Sequence, residues 1–165
     1  MASIQHKEMV LPIPNGWEDR SQAIAVSPTG NDFRANVVVV SEPIKPGEKI
    51  EQFAARHVET LKQTFEGFQV VTEGAKKLGA FEGFWREYVF SAAGKKYGQI
   101  QYHALAENSI YTFTYSDVAD RMAKAKPQVE AMFAQAKLGY ARRAGGGGGA
   151  PTPASPMSSG STFDG

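Results

Sequence analysis

The sequence predicts an α+β domain, an antiparallel sheet with two helical segments packed on it. Short runs of apolar–polar alternation, bounded by Gly, Pro, Asn and Asp, recur along the chain as half-buried strands do. Two other stretches repeat apolar residues at three- and four-residue spacing, the mark of amphipathic helices. The 165 residues, 42% of them apolar, suffice for one core, so a single domain is expected.

Glu8 to Leu11 reads as a short first strand, stopped by Pro12, Pro14 and the turn-forming Asn15-Gly16. Gln22 to Ser27 and Ala35 to Ser41 form a strand pair joined through Pro28-Thr29-Gly30-Asn31-Asp32. Ile50, Phe53, Ala54, His57, Leu61 and Phe65 then mark a helix of about four turns, with Gly67 where a helix stop is expected. Phe68 to Lys77, Phe81 to Ala92, Tyr97 to Ala106 and Ser109 to Ser116 read as four antiparallel strands. A second helical stretch is broken or begun afresh at Pro127 and carries Val129, Met132, Phe133 and Ala136. The domain therefore spans residues 1–140. Residues 141–165, rich in Gly, Pro and Ser, have too little apolar surface to offset their ordering entropy and are expected to form a disordered tail.

A two-residue turn at Glu107-Asn108 fixes the last hairpin residue by residue. Leu105 opposes Ile110, His103 opposes Thr112, Gln101 opposes Thr114 and Gln99 opposes Ser116. Alternation then sorts an amide-and-hydroxyl face from an aromatic one bearing Ile100, Tyr102, Ala104, Tyr111, Phe113 and Tyr115. The aromatic face is expected to pack on the helices and the other to be open or to line a groove. One strand earlier, a three-residue loop Ala93-Gly94-Lys95 is preferred. A two-residue loop turns Glu87 inward, which is costly without a partner. The longer loop puts Trp85, Glu87 and Val89 on the glutamine face.

Composition excludes several function classes. Lys and Arg number 18 against 17 Asp and Glu, without the basic excess that phosphate backbones demand. The longest basic run, Arg142-Arg143, reads as a solvated chain end. With no cysteine there is no disulfide, thiolate–metal or thiol chemistry. His6, Lys7 and Glu8 interrupt any signal-like stretch near the N-terminus, and no window has the ~18 consecutive apolar residues of a membrane span. A cytoplasmic protein that does not insert into membranes is expected.

No catalytic constellation emerges. His6, His57 and His103 lie far apart, with no metal-ligand spacing. Gly145 to Gly149 opens onto prolines instead of a helix, so no phosphate cradle forms there, and no serine occupies a nucleophile elbow. Glu87 with His103 is a conceivable acid–base pair, resting on inferred register alone. Neither cofactor, metal nor catalytic residue is expected. What stands out is the glutamine face, since an amide both donates and accepts and so suits exposed backbone of a bound segment. His57 falls on the apolar stripe of the first helix, where a core-edge histidine with one hydrogen bond is the simplest reading.

The stretches Leu11-Pro-Ile-Pro-Asn-Gly-Trp17-Glu-Asp19-Arg-Ser21, Val38-Val-Val-Ser41-Glu, Leu61-Lys-Gln-Thr-Phe-Glu-Gly-Phe68, Gly98-Gln-Ile-Gln101 and Tyr111-Thr-Phe-Thr114 together resemble the DcrB-related family, from Met9 to Leu138. The resemblance implies a Mog/PsbP-like α/β sandwich. Lacking a signal and a lipid-bearing cysteine, the chain is most similar to the Eag chaperones of type VI secretion. These resemble homodimeric, cytoplasmic proteins that bind the hydrophobic N-terminal transmembrane segments of Rhs- or PAAR-type effectors before export. Carried over by position, the resemblance implies Gln22, Ile24, Val39, His57 and Gln99 as client-binding, and Gln101, on the same amide face by register, joins the expected set. His57 stands where the family has an amide, and Gln22 where a β-branched residue is usual. A non-catalytic docking adaptor of the same fold is the alternative, and a small-ligand-binding domain a third.

Overall fold

The structure, a computed structural model, describes residues 2–6, 9–16, 20–28 and 33–138. The tail from 141 to 165, Arg142-Arg143, most of the 28–32 turn, Lys7, Glu8 and the Trp17–Asp19 part of the family-like stretch lie outside these residues.

Two strands, β1 (Ala2–His6) and β2 (Met9–Ile13), pair antiparallel as a separate two-stranded sheet. The first predicted strand is thus joined by an unexpected partner, and it runs on through Pro12, which lies opposite Ser3. A two-stranded sheet is all edge, and an edge strand tolerates a residue with no N–H.

The main sheet has six antiparallel strands in the order β3-β4-β8-β7-β6-β5. They are β3 (Ala23–Val26), β4 (Asn36–Pro43), β5 (Glu66–Leu78), β6 (Phe81–Ala92), β7 (Lys95–Ala106) and β8 (Ser109–Val118). Strands β5 to β8 form a meander, and β4 joins it across β8. Helix α1 (Ile50–Thr64) connects β4 to β5, and α2 (Met122–Ala134) follows a 3-10 turn after β8. The expected fold class, an antiparallel sheet carrying two helices, is the one observed.

The last hairpin has the expected register throughout, Leu105 to Ile110 and Gln99 to Ser116 included. The preceding one does not. Ala92 pairs with Lys95, so the turn is the two residues Ala93-Gly94, with φ of 49° and 73°. Two consecutive positive φ values define a type I′ turn, which matches strand twist better than the longer loop. Parity is thereby reversed. Trp85, Glu87 and Val89 join the aromatic face, and Phe84, Arg86, Tyr88 and Phe90 join the glutamine face. The partner that Glu87 was expected to lack is supplied from α2, since it pairs with Lys126 and also accepts from Trp85 Nε1 at 2.7 Å.

The helices do not share a face. On the aromatic side, Val129 and Phe133 of α2 pack with Leu78, Trp85, Ile100, Tyr102, Ala104 and Phe113, all buried. Buried Tyr102 is satisfied there: its hydroxyl donates towards the Phe81 carbonyl at 2.8 Å and accepts from Leu78 N at 3.2 Å. Helix α1 lies instead over β5 to β7 on the glutamine side, burying Phe53, Ala54, Val58 and Leu61. Leu61 meets Tyr88 and Phe90. The α1 N-terminus is closed by Gln52 Oε1, which accepts the Lys49 backbone N–H at 2.8 Å.

Two helix punctuations differ from expectation. Gly67 is not a helix stop: α1 ends at Thr64, and Gly67, at φ 62°, sits in the first of two register shifts of β5. Nor does Pro127 break α2, which runs through it. The carbonyl that loses a donor belongs to Ala123, an exposed residue of the first turn. Met132, expected in the core, is 42% exposed. Gly79, in the β5–β6 turn at φ 59°, allows α2 to close on the sheet, because a Cβ there would sit 2.2 Å from the Ala134 carbonyl oxygen.

Candidate functional site

Beside α1 no helix or strand among the described residues covers the glutamine face, and the strand register decides what it shows. Ile24 opposes Val38 and Val26 opposes Asn36. Val38 opposes Thr114 and Val40 opposes Thr112. Ile24, Val26, Val38 and Val40 therefore stand on the same side of the sheet as Gln99, Gln101 and His103. They form a trough between the β3 edge and α1, with Ile24 62% and Val26 51% exposed. Exposed β-branched residues side by side are unusual on an ordinary solvated strand.

Amides and hydroxyls line the floor. Tyr88 donates its hydroxyl to Gln99 Oε1, and Gln99 Nε2 donates to Ser116 Oγ at 2.8 Å. Burial raises the Tyr88 pKa, so the phenol remains a donor. Held from both sides, Gln99 has one amide hydrogen and one lone pair left to offer. It also lines a recess of about 380 Å³ with Phe33, Asn36, Phe90, Tyr97 and Ser116.

Under α1 the same face becomes a buried polar layer. Arg86, only 1% exposed, donates through Nη2 to the Ala54 carbonyl at 2.9 Å and through Nε to Glu73 at 2.7 Å. Gln101 Nε2 lies 3.3 Å from Thr114 Oγ1 and 3.4 Å from His57 Nε2. His103, completely buried, bonds Thr112 Oγ1 through Nδ1 at 2.9 Å and meets the His57 ring edge-on at 5.2 Å. Burial lowers the pKa of both histidines, and nearby Arg86 lowers it further. His103, with His57 beside it, is pushed down to about 3. Among the described residues nothing hydrogen-bonds Arg86 Nη1, Gln101 Oε1 or His103 Nε2.

The six sequence-predicted residues separate accordingly. Ile24 and Gln99 stand in the trough. His57 and Gln101 touch each other on the same side, but beneath α1, with Gln101 4% exposed. Gln22 is exposed just ahead of β3. Val39 points the other way: it opposes Ala23 and Phe113 and packs against the α2 core. Its neighbours Val38 and Val40 take its place in the trough. Four successive valines, Val37 to Val40, carry no parity of their own, so only the pairing with Ile24 reveals which two face outward. Arg86 and Tyr88 were also missed, because their faces depend on the Ala93-Gly94 turn. Glu87 and His103 lie on opposite faces and form no acid–base pair. No group of three or more potential metal ligands occurs among the described residues.

Fold and site together define an α+β domain with an open six-stranded sheet, a helix on each face and an apolar-and-amide trough beside one of them. The sequence matches the DcrB family over residues 8–135, and the chain belongs to that family. Among solved structures it is similar to PA94 of Pseudomonas aeruginosa, a protein of unknown function, at 16% identity and a TM-score of 0.69. The match covers 83% of this chain and 96% of that one. LpqN of Mycobacterium tuberculosis, involved in cell envelope biogenesis, matches at 15% identity and a TM-score of 0.47, over 73% of this chain and 84% of its own. Cyanobacterial PsbP from Synechocystis sp. PCC 6803 matches at 12% and 0.46, over 70% and 78%. No curated protein matches significantly. No helix among the described residues is long and apolar enough to cross a membrane.

Proposed function

We propose that this protein is a non-catalytic chaperone that shelters an apolar helical segment of a partner in the trough beside α1. The client class is the one the Eag resemblance implies, the N-terminal transmembrane segments of a type VI secretion effector held in the cytoplasm before export. One observation carries the reading: Ile24 and Val26 are more than half exposed on a face whose floor is made of held amides. A membrane segment in water exposes a long apolar surface. β-Branched walls cover such a surface, and the free edge of Gln99 meets polar backbone where the helix ends or loosens. Small client residues let the helix approach closely. No bond is made or broken.

Ile24→Asp combined with Gln99→Glu tests the reading. Both residues lie outside the buried layer, so the variant should melt like the parent while the soluble yield of a co-expressed effector falls severalfold. An unchanged yield overturns the proposal.

A further inference from the structure

The two edges of the main sheet differ. Strand β5 carries two register shifts and the charges Glu73, Lys76 and Lys77, devices that discourage further pairing. Strand β3 carries Ala23-Ile24-Ala25-Val26, with no charge, no proline and no bulge, and every residue is exposed. Among the described residues it pairs with β4 alone, so one row of its backbone N–H and C=O groups faces outward.

On the α2 side this edge borders a second cavity, on the face opposite the trough. Ala25, Val37, Tyr115, Val129 and Met132 line it together with Val26 of the trough, and its volume is about 280 Å³. That falls just below the roughly 300–1,000 Å³ of ligand pockets, and suits one large side chain. Ala25 is small and turns towards this side, opposite Val37, which leaves the entrance open from the edge. Arg34, whose Nε donates to the Ser27 carbonyl at 2.7 Å, adds a cation at the C-terminal end of β3.

We infer that β3 receives an extended partner segment as a seventh strand, anchored by one large apolar side chain in the α2-side cavity and flanked by an acidic residue. The open backbone row calls for a strand, since a helix has no free backbone row to pair with it. The cavity calls for a bulky residue at one position of that strand, and Arg34 for an acid beside it. Strand β3 is common to this surface and to the trough, since Val26 stands in the trough and also lines the cavity, whereas Gln99 belongs to the trough alone.

The test uses the full-length protein and a fluorescein-labelled synthetic peptide of alternating valine and threonine, with phenylalanine at its centre and glutamate at each end. Anisotropy should show saturable binding, at least tenfold weaker for Ala25→Glu and for Met132→Glu, and unchanged for Gln99→Glu. Met132 lies on the exposed side of α2, so it carries the test if the Ala25 variant misfolds. Absence of binding, binding indifferent to Met132→Glu, or binding lost equally with Gln99→Glu overturns the inference. So does a dimer, seen by sedimentation, that excludes the peptide, because the edge then belongs to a second copy of the chain.

Discussion

One face of the sheet is dry and closed, and the other is polar and half open. Against α2, Trp85, Tyr102, Phe113 and Phe133 interlock, and the buried Tyr102 hydroxyl has its partners. Against α1, Arg86, Gln101 and His103 are just as buried, yet each keeps a polar atom that no described residue meets. A buried unmatched polar group costs about 1–3 kcal/mol. The α1 face therefore adds less stability per residue but more orientation. Arg86 reaching the Ala54 carbonyl fixes where the helix lies, as an apolar contact does not. The difference teaches that α2 holds the fold together while α1 sets the width of the trough.

The largest test of this contrast truncates one side chain on each face. Phe133→Ala removes the α2 anchor and should cost about 3–5 kcal/mol in urea unfolding. Gln101→Leu replaces a partly unmatched amide by a similar volume and should change stability by less than about 1 kcal/mol. Equal losses would erase the distinction.

Acid should act through the α1 face. Burial keeps His57 and His103 neutral, so their folded pKa values lie below the unfolded value of about 6.5. His57 faces Arg86, His103 and, on its own helix, Arg56, and Arg86 is paired with Glu73. As the pH falls, the unfolded chain binds protons that the folded one refuses. Stability is thus complete above about pH 6.5 and declines as the pH drops towards the His103 value of about 3. Between pH 7 and 5 the loss from His103 should be about 2 kcal/mol. Urea midpoints measured across that range should slope less in His103→Asn.

The smallest effect lies at the turn that sets parity. Ala93 sits at φ 49°, where asparagine is better tolerated. Ala93→Asn should stabilise by about 0.5–1 kcal/mol, readable as a small rise in Tm. A loss would mean that the left-handed conformation is not the dominant one.

That turn also explains how far the sequence was legible. The Glu107-Asn108 hairpin could be read residue by residue, because turn length and alternation agreed. Ala93-Gly94 lacks the Asn-Gly signal, and burying Glu87 argued against it. Lys126, which makes that burial possible, belongs to a helix nearly forty positions later. The stripe of α1 was evident from spacing, but spacing alone does not say which side of a sheet a helix chooses. Of the expected client-binding residues, Ile24 and Gln99 stand on the open part of the glutamine face. Val39 faces the α2 core, Gln101 is buried and His57 is half-buried against it. Each of these placements is set by a contact between residues distant in the chain.

The seam between β4 and β8 has a kinetic consequence. Strands β5 to β8 follow one another through two-residue turns at Gly79-Ala80, Ala93-Gly94 and Glu107-Asn108, so their pairing closes only short loops. The pairing of Asn36–Pro43 with Ser109–Ser116 must close a loop that contains α1 and β5 to β7. Contacts between distant residues are the slower to form and, at a sheet margin, the easier to lose. The trough straddles this seam, with its valines on one side and Thr114, Ser116 and Gln99 on the other. Its completion should therefore come late in folding, and separation of β3–β4 from β8 should dissolve it before the meander opens.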